Sequence, residues 1–330
     1  MSDLYHIPQD DGKTYRLKKF VEYQHEVPSI HYRFLGEWVK ANSLSPERAA
    51  DMCWYMSVTY NEITCIILDQ LIHNEGMSYE DIWRTYKQAL DFGSARKYAK
   101  NNDWFVPLMQ EWDRATAGDP VSHLRRLQKD TPEETYVSIQ KWLRGLKFVG
   151  RFASDLFMES ICYLQDYLGL SLKEPFKLDW KNCANLTSGI FNIFYEDEKA
   201  NLYDRDHTLA ESDKQYLTEK LRVIQAEIMK RYPEQDADIT MFIGKICSFR
   251  NLFKNARYGG FHHDRELGVI HAYEDSMPQY YQIYNDCYKL RRRIFPERFL
   301  GELHGWTGIR KERKKMWLRT GKTGAEPDGH

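Results

Sequence analysis

Residues 143–164 read LRGLKFVGRFASDLFMESICYL. A glycine at 145, a short apolar step, a second glycine at 150 and then a strongly helical run predict a helix ending at Leu146, a turn from Lys147 to Gly150, and a second helix opening near Arg151. Upstream, Thr131, Pro132 and Glu134 make a capping box for the first helix, on which Ile139, Trp142, Leu143 and Leu146 share a face. Gly150 supplies backbone freedom just before the second helix, whose first amides lack intrahelical partners and point outward. Such an N-terminus suits an anion, phosphate above all, and Lys147 and Arg151 flank it with charge. A plain hairpin with a glycine at the bend accounts for the same spacing.

Outward from the hairpin the punctuation stays helical. Residues 43–74, SLSPERAADMCWYMSVTYNEITCIILDQLIHN, offer Ser45 as N-cap and Pro46 at the first helical position, followed by a long apolar run that belongs in the core. Ser78 and Asp81 approximate a capping box. Leu217, Leu221, Ile224 and Ile228 repeat the pattern, as do Ile239, Phe242, Ile243 and Ile246. No alternating strand or Asn-Gly turn intervenes, and there are no heptads and no repeat period, so the expectation is an all-α fold of about a dozen short helices. The expected division is an N-terminal helical lobe over residues 1–130, a helix-hairpin-helix core with a basic C-terminal region over 131–320, and a disordered tail over 321–330.

The 330 residues are enough to bury a sizeable core. Aromatic residues make up 14% of the chain, which permits base stacking as readily as core packing. Formal net charge is only −1, yet residues 289–322 carry twelve Lys/Arg against three Asp/Glu, so any case for nucleic-acid binding rests on distribution. In that region Lys311 and Lys314, between Trp306 and Trp317, fit contacts to a DNA backbone, with a solvated helix face as the competing view. Cys53, Cys65, Cys162, Cys183, Cys247 and Cys287 are scattered and read as reduced thiols, and neither a metal site nor a cofactor is expected. No apolar run approaches the ~20 residues a membrane span needs, and the expected location is cytoplasmic. GKTG at 321–324 has no strand before it and no helix after it, so it is not a P-loop.

The pattern Leu-x-Gly-Leu-x-x-Val-Gly-Arg-x-Ala over residues 143–153 resembles the helix-hairpin-helix of DNA glycosylases. In that superfamily the hairpin amides grip a phosphate and a downstream aspartate lies at the mouth of the base pocket. By order along the chain this aspartate is Asp179, which also reads as an N-cap for a helix starting at Trp180. The hairpin, then DWKNCANLTSGIFNIFYEDE, then ADITMFIGKICSFRNLF, then a Tyr-Gly step (Tyr258, Gly259) with a following Asp-Arg (Asp264, Arg265), is similar to one group. This is the phage family of α-glutamyl/putrescinyl thymine pyrophosphorylases, also called amino acid:DNA transferases, together with the helical domain of 5-hydroxymethyluracil DNA kinases. The likeness spans roughly residues 130–275.

The resemblance implies a transferase that acts on double-stranded DNA carrying 5-hydroxymethyluracil-derived bases. It replaces the (pyro)phosphate at the activated 5-methylene with the amine of glycine, glutamate or putrescine, after phosphorylation by a separate DNA kinase in the phage-infected cell. Such chemistry requires a carboxylate or His near the amine and cations near the leaving phosphate. Asp179, Asp155 and Glu159 are the candidate carboxylates; the last two lie four apart on one helix face, where a solvated stripe is the alternative. His262, just after Tyr258-Gly259-Gly260, is a candidate acid or base. Arg250, Lys254 and Arg257 are candidates for phosphate, with an ordinary basic helix face as the alternative, and Thr187 and Ser188, in the turn of LTSGIF, with Tyr258, Gly259, Asp264 and Arg265, are candidates for the base pocket. A DNA glycosylase and a non-catalytic DNA-binding protein are the alternatives.

Overall fold

The computed structural model describes residues 20, 30–93, 95–176, 178, 187, 189–190, 193–194, 210–231, 242, 244–246, 261–295 and 300. These residues form α-helices with one π turn and one 3-10 turn, and no strand occurs among them. The all-α class expected from the periodicity is the class observed.

The chain divides into two compact units, the first made of Met1–Ser29, Phe176–Asp264 and Glu297–His330, the second of Ile30–Pro175 and Arg265–Pro296. The second unit carries α1 (Ile30–Ala41), α2 (Pro46–Thr59), α3 (Glu62–Asp69), α4 (Tyr79–Tyr86), α5 (Lys97–Asn101), α6 (Phe105–Thr116), α7 (Pro120–Arg126), α8 (Pro132–Arg144) and α9 (Arg151–Leu168). Helix α10 (Glu211–Arg231) belongs to the first unit; the boundary falls within α11 (Phe261–Ser276), and α12 (Tyr281–Ile294) closes the second. A division at residues 130/131 therefore differs from this one: α8 and α9 lie in the same unit as α1 to α7, because α9 packs along α2, its most extensive partner, and against α1 and α8.

The capping residues act as their sequence neighbours suggest. Ser45 accepts from the Arg48 amide, Ser78 from Asp81 and Thr131 from Glu134, and Pro46 and Pro132 open their helices. The long apolar run does not continue unbroken. Tyr60 caps α2 in the left-handed region (φ 53°), and Asn61 then caps α3 by accepting from the Thr64 amide. Asn61 also donates to Asp91 at 2.7 Å, a tertiary contact that the local sequence does not announce.

In the second unit the core is aromatic. Trp54 of α2 stacks on Trp112 of α6 with centroids 4.8 Å apart, and Phe157 of α9 meets both. Ser57 donates to the carbonyl of Ala153 at 2.8 Å, tying α2 to the first turn of α9. In the first unit α10 buries Leu217, Leu221, Ile224 and Ile228, the stripe expected of it, and Phe242 and Ile246 are buried as well. Ile239 and Ile243 lie outside the described residues.

Candidate functional site

Helix α8 ends two residues earlier than its spacing predicts. Arg144 is its last residue, and Gly145 and Leu146 follow in a tightened turn, donating to Trp142 and Leu143 at 2.9 and 3.0 Å. Helix α9 opens at Arg151 as expected, with Gly150 as its N-cap. Leu143, Leu146, Val149 and Ala153 are buried under the turn, and truncating a fully buried leucine such as Leu143 to alanine costs about 2–5 kcal/mol.

The backbone freedom assigned to Gly150 is used elsewhere. Gly150 sits at φ −84°, open to any residue, while Phe148 takes the left-handed conformation at φ 63°. A Cβ on Gly150 meets nothing within 4 Å. The glycine leaves open space over the N-terminus of an 18-residue helix that has no side-chain cap and no acidic residue in its first turn. Its amides from Arg151 to Ala153 precede the first intrahelical bond, from the Ser154 amide to the Gly150 carbonyl. One turn amide is already engaged: the Lys147 N–H donates to Glu111 Oε1 at 3.0 Å. Glu111 is buried, and Arg114 grips it with two bonds of 2.8 and 2.7 Å.

Two arginines converge on Asp155. Arg144 Nη2 lies 3.4 Å from Oδ1 and Arg151 Nε 3.5 Å from Oδ2, while Gln140 donates to Oδ1 at 3.2 Å. Burial pushes this carboxyl above its usual range, with the arginines and Gln140 partly offsetting it. One turn along α9, Glu159 lies close enough to buried Tyr32 for its charge, after burial, to push the Tyr32 hydroxyl up. An open groove of about 550 Å3 runs beside the turn, lined by Arg114, Lys141, Trp142, Gly145 and Leu146 among others.

Behind the hairpin lies a polar cluster assembled from distant parts of the second unit. The ring of Tyr60 sits 5.5 Å from Phe152 of α9 and 5.4 Å from His31 of α1. Arg265 of α11 lies over the same ring at 5.7 Å and donates to the Tyr60 carbonyl at 3.4 Å. Only glycine fits at position 93, where a Cβ would stand 2.5 Å from the Tyr60 carbonyl oxygen. His31 contacts buried Glu62 at 2.6 Å, and Arg291 of α12 pairs with buried Glu266. Oε1 of Glu62 and Oε2 of Glu266 have no hydrogen-bond partner, and the negative Glu62 acts on Glu266. Burial raises Glu62, but the charge and hydrogen bond of His31, the Glu62 amide and Arg265 outweigh it and hold the group at about 2. Burial and the negative Glu62 push Glu266 well above the usual range, against the pull of Arg291.

Of the residues singled out from sequence, Lys147, Gly150, Arg151, Asp155, Glu159 and Arg265 fall in the second unit. The hairpin carries five of them, and Arg265 approaches through Tyr60. Thr187, His262 and Asp264 belong to the first unit. Thr187 is buried and helical rather than in a turn, and neighbouring Gly189 has its own packing reason, since a Cβ there would stand 2.6 Å from the Ile246 carbonyl oxygen. His262 is half-buried and Asp264 buried, both in the first turn of α11. Asp179, Ser188, Arg250, Lys254, Arg257, Tyr258, Gly259, Lys311 and Lys314 lie outside the described residues, as do Cys183 and Cys247. Cys53, Cys65, Cys162 and Cys287 are free thiols. Among the described residues no cluster of three His, Cys, Asp or Glu side chains is arranged to hold a metal, and no helix is long and apolar enough to cross a membrane.

His31, Glu62, Glu266 and Arg291 were not candidates on sequence grounds. The one local signal was Glu62, a charge inside the apolar run YNEITCIIL. No family model matches the chain, and no match to it is found among the curated proteins or the solved structures.

Proposed function

We propose that the protein is a DNA base-hypermodifying transferase of the host cytoplasm in phage infection. It grips duplex DNA with the α8–α9 hairpin and acts on a phosphorylated 5-hydroxymethyluracil made by a partner DNA kinase. The C–O bond between the 5-methylene and its phosphate breaks, a C–N bond to the amine of glycine, glutamate or putrescine forms, the amine proton passes to a carboxylate, and the (pyro)phosphate departs with the bonding electrons.

The observation that carries this reading is the N-terminus of α9, which is uncapped, overlain by the open space at Gly150 and flanked by Lys147, Arg144 and Arg151. These features suit a DNA phosphate. Asp155, raised by burial and set between two arginines, suits proton transfer beside a departing phosphate, because such a carboxyl takes a proton more readily than an exposed one. Glu159 with Tyr32 supplies a second carboxylate on the same helix.

The experiment is nucleoside mass spectrometry on duplex DNA containing 5-hydroxymethyluracil, treated with a DNA kinase and then with the protein and a pool of amino acids and polyamines. A nucleoside with the mass of an amine adduct is expected, and its mass identifies the donor. An intact phosphorylated base overturns the reading in favour of a binding protein, and an abasic site in favour of a glycosylase.

A further inference from the structure

Phe148 at the tip of the hairpin begins a row of aromatic rings, continued by Trp104 and Tyr98 from the α5–α6 region, that the chemistry above does not use. Phe148 is a bulky residue in the left-handed region, at φ 63°, with 45% of its surface exposed. A side chain pays for that conformation where glycine would not, and such strain concentrates at functional positions. Its ring lies 5.5 Å from Trp104, which lies 5.5 Å from Tyr98, itself 41% exposed. The three rings form a continuous strip beginning at the turn.

Charge around the strip is positive. Arg96 stands 5.0 Å from the Tyr98 ring and is fully buried. It donates to the Val58 carbonyl and the Tyr98 hydroxyl, but its Nη2 has no acceptor, and no carboxylate among the described residues pairs with it. Lys97 and Lys147, next in sequence to Tyr98 and Phe148, are exposed. Of the acids near it in sequence, Asp103 is engaged by Trp83 and Lys87, and Asp91 accepts from Asn61 and feels the charge of Arg265, Lys97 and Lys100. Exposed aromatic rings with exposed lysines next to them in sequence suit a ligand that is flat, apolar-faced and anionic along one edge, as a nucleotide is.

We infer that Phe148, Trp104 and Tyr98 form a stacking site for nucleobases extruded from the duplex, on the strand whose phosphate is held at the α9 N-terminus. This rests on the DNA-binding part of the proposed function, not on the transfer chemistry. Phe148 meets the first base, and Tyr98 over Arg96 meets the next.

The test compares the binding of the full-length protein to an oligothymidylate and to an abasic phosphodiester of the same length. Wild type is expected to favour the oligothymidylate by about tenfold or more. Phe148→Gly should bring the ratio near unity and Phe148→Tyr restore it, while the dependence of affinity on salt stays unchanged because no charge is removed. Glycine suits φ 63°, so Phe148→Gly is expected to melt no lower than wild type, which separates lost stacking from lost fold. A wild-type ratio near one, or a ratio untouched by Phe148→Gly, overturns the inference. So does a Phe148→Gly variant that dissociates a dimer in sedimentation while the ratio holds, which would make the strip a contact between copies. Mass spectrometry on the same preparations keeps the two readings apart. An amine adduct with an unchanged ratio removes the stacking site alone, and a Phe148-dependent ratio without adduct removes the transferase alone.

Discussion

Inside the second unit buried Glu62 and Glu266 each turn one oxygen to a basic side chain, His31 for the first and Arg291 for the second, and leave the other without a hydrogen-bond partner. Two buried carboxyls so placed do not both ionise, and the environment sorts them into an anion, Glu62, held at about 2, and an acid, Glu266, raised well above 4.5. The sign of the pH dependence follows. Glu62 contributes stability above its unfolded value that is lost as pH falls from about 4.5 toward 2. The Glu266 contribution is complete below about 4.5 and is lost as pH rises toward its folded value. Glu266→Gln mimics the neutral acid and should leave stability at pH 7 within about 1 kcal/mol of wild type while removing the decline above pH 4.5, as read by urea unfolding across pH. A loss of about 3–5 kcal/mol at pH 7 would instead mean that Arg291 depends on an ionised partner.

Glu111 holds the hairpin from outside. The bonds from Arg114, opposed by burial and helped by the Lys147 amide, keep its carboxyl at about 2, so this contribution too is present above pH 4.5 and fades toward pH 2. Glu111→Ala strands the Lys147 amide and should cost about 1–3 kcal/mol. Amide exchange at Lys147 and Phe148 should accelerate more than exchange in α2. Uniform acceleration across the unit would place the role of Glu111 in global stability instead.

The parts of this molecule that were legible in its sequence are those whose causes are local. Ser45, Ser78 and Thr131 cap helices three residues downstream, and Arg151 opens α9 after a glycine, because capping is decided within one turn. The break at Tyr60 was not legible, since its left-handed backbone goes with Asn61 reaching Asp91, thirty residues on. Gly150 was read as the flexible position, yet Phe148 carries the positive φ, an outcome decided by tertiary contacts such as Glu111 on the Lys147 amide and Trp104 beside the Phe148 ring. His31, Glu62, Glu266 and Arg291 come from four helices, and nothing periodic links them.

Gly150 separates stability from binding. Its backbone, at φ −84° and ψ 177°, is that of an ordinary N-cap, and its missing side chain leaves the helix without a capping bond. Gly150→Asp should cap α9 and attract its dipole, raising stability by a few tenths to about 1 kcal/mol. The same carboxylate would fill the position proposed for the DNA phosphate. DNA affinity should fall by more than tenfold even as the melting temperature rises, measured on one preparation by anisotropy and calorimetry. Unchanged affinity would show that no phosphate approaches this helix.

Asp155 offers the sharpest test of chemistry, because removing its charge moves binding and turnover in opposite directions. Arg144 and Arg151 both reach toward it, so Asp155→Asn frees two guanidiniums for phosphate and lifts a like charge from the approaching strand. DNA affinity should rise a few-fold. A group raised by burial that acts as a base works only when ionised, so wild-type adduct formation should increase as pH rises through its elevated value and level off above it. Asp155→Asn should lose about a hundredfold or more in adduct formation together with that pH dependence, the range expected for a general base. If the variant binds DNA more tightly and still makes adduct at the wild-type rate, Asp155 only restrains its arginines, and the proton goes to another carboxylate such as Glu159, four residues on and on the same face of α9.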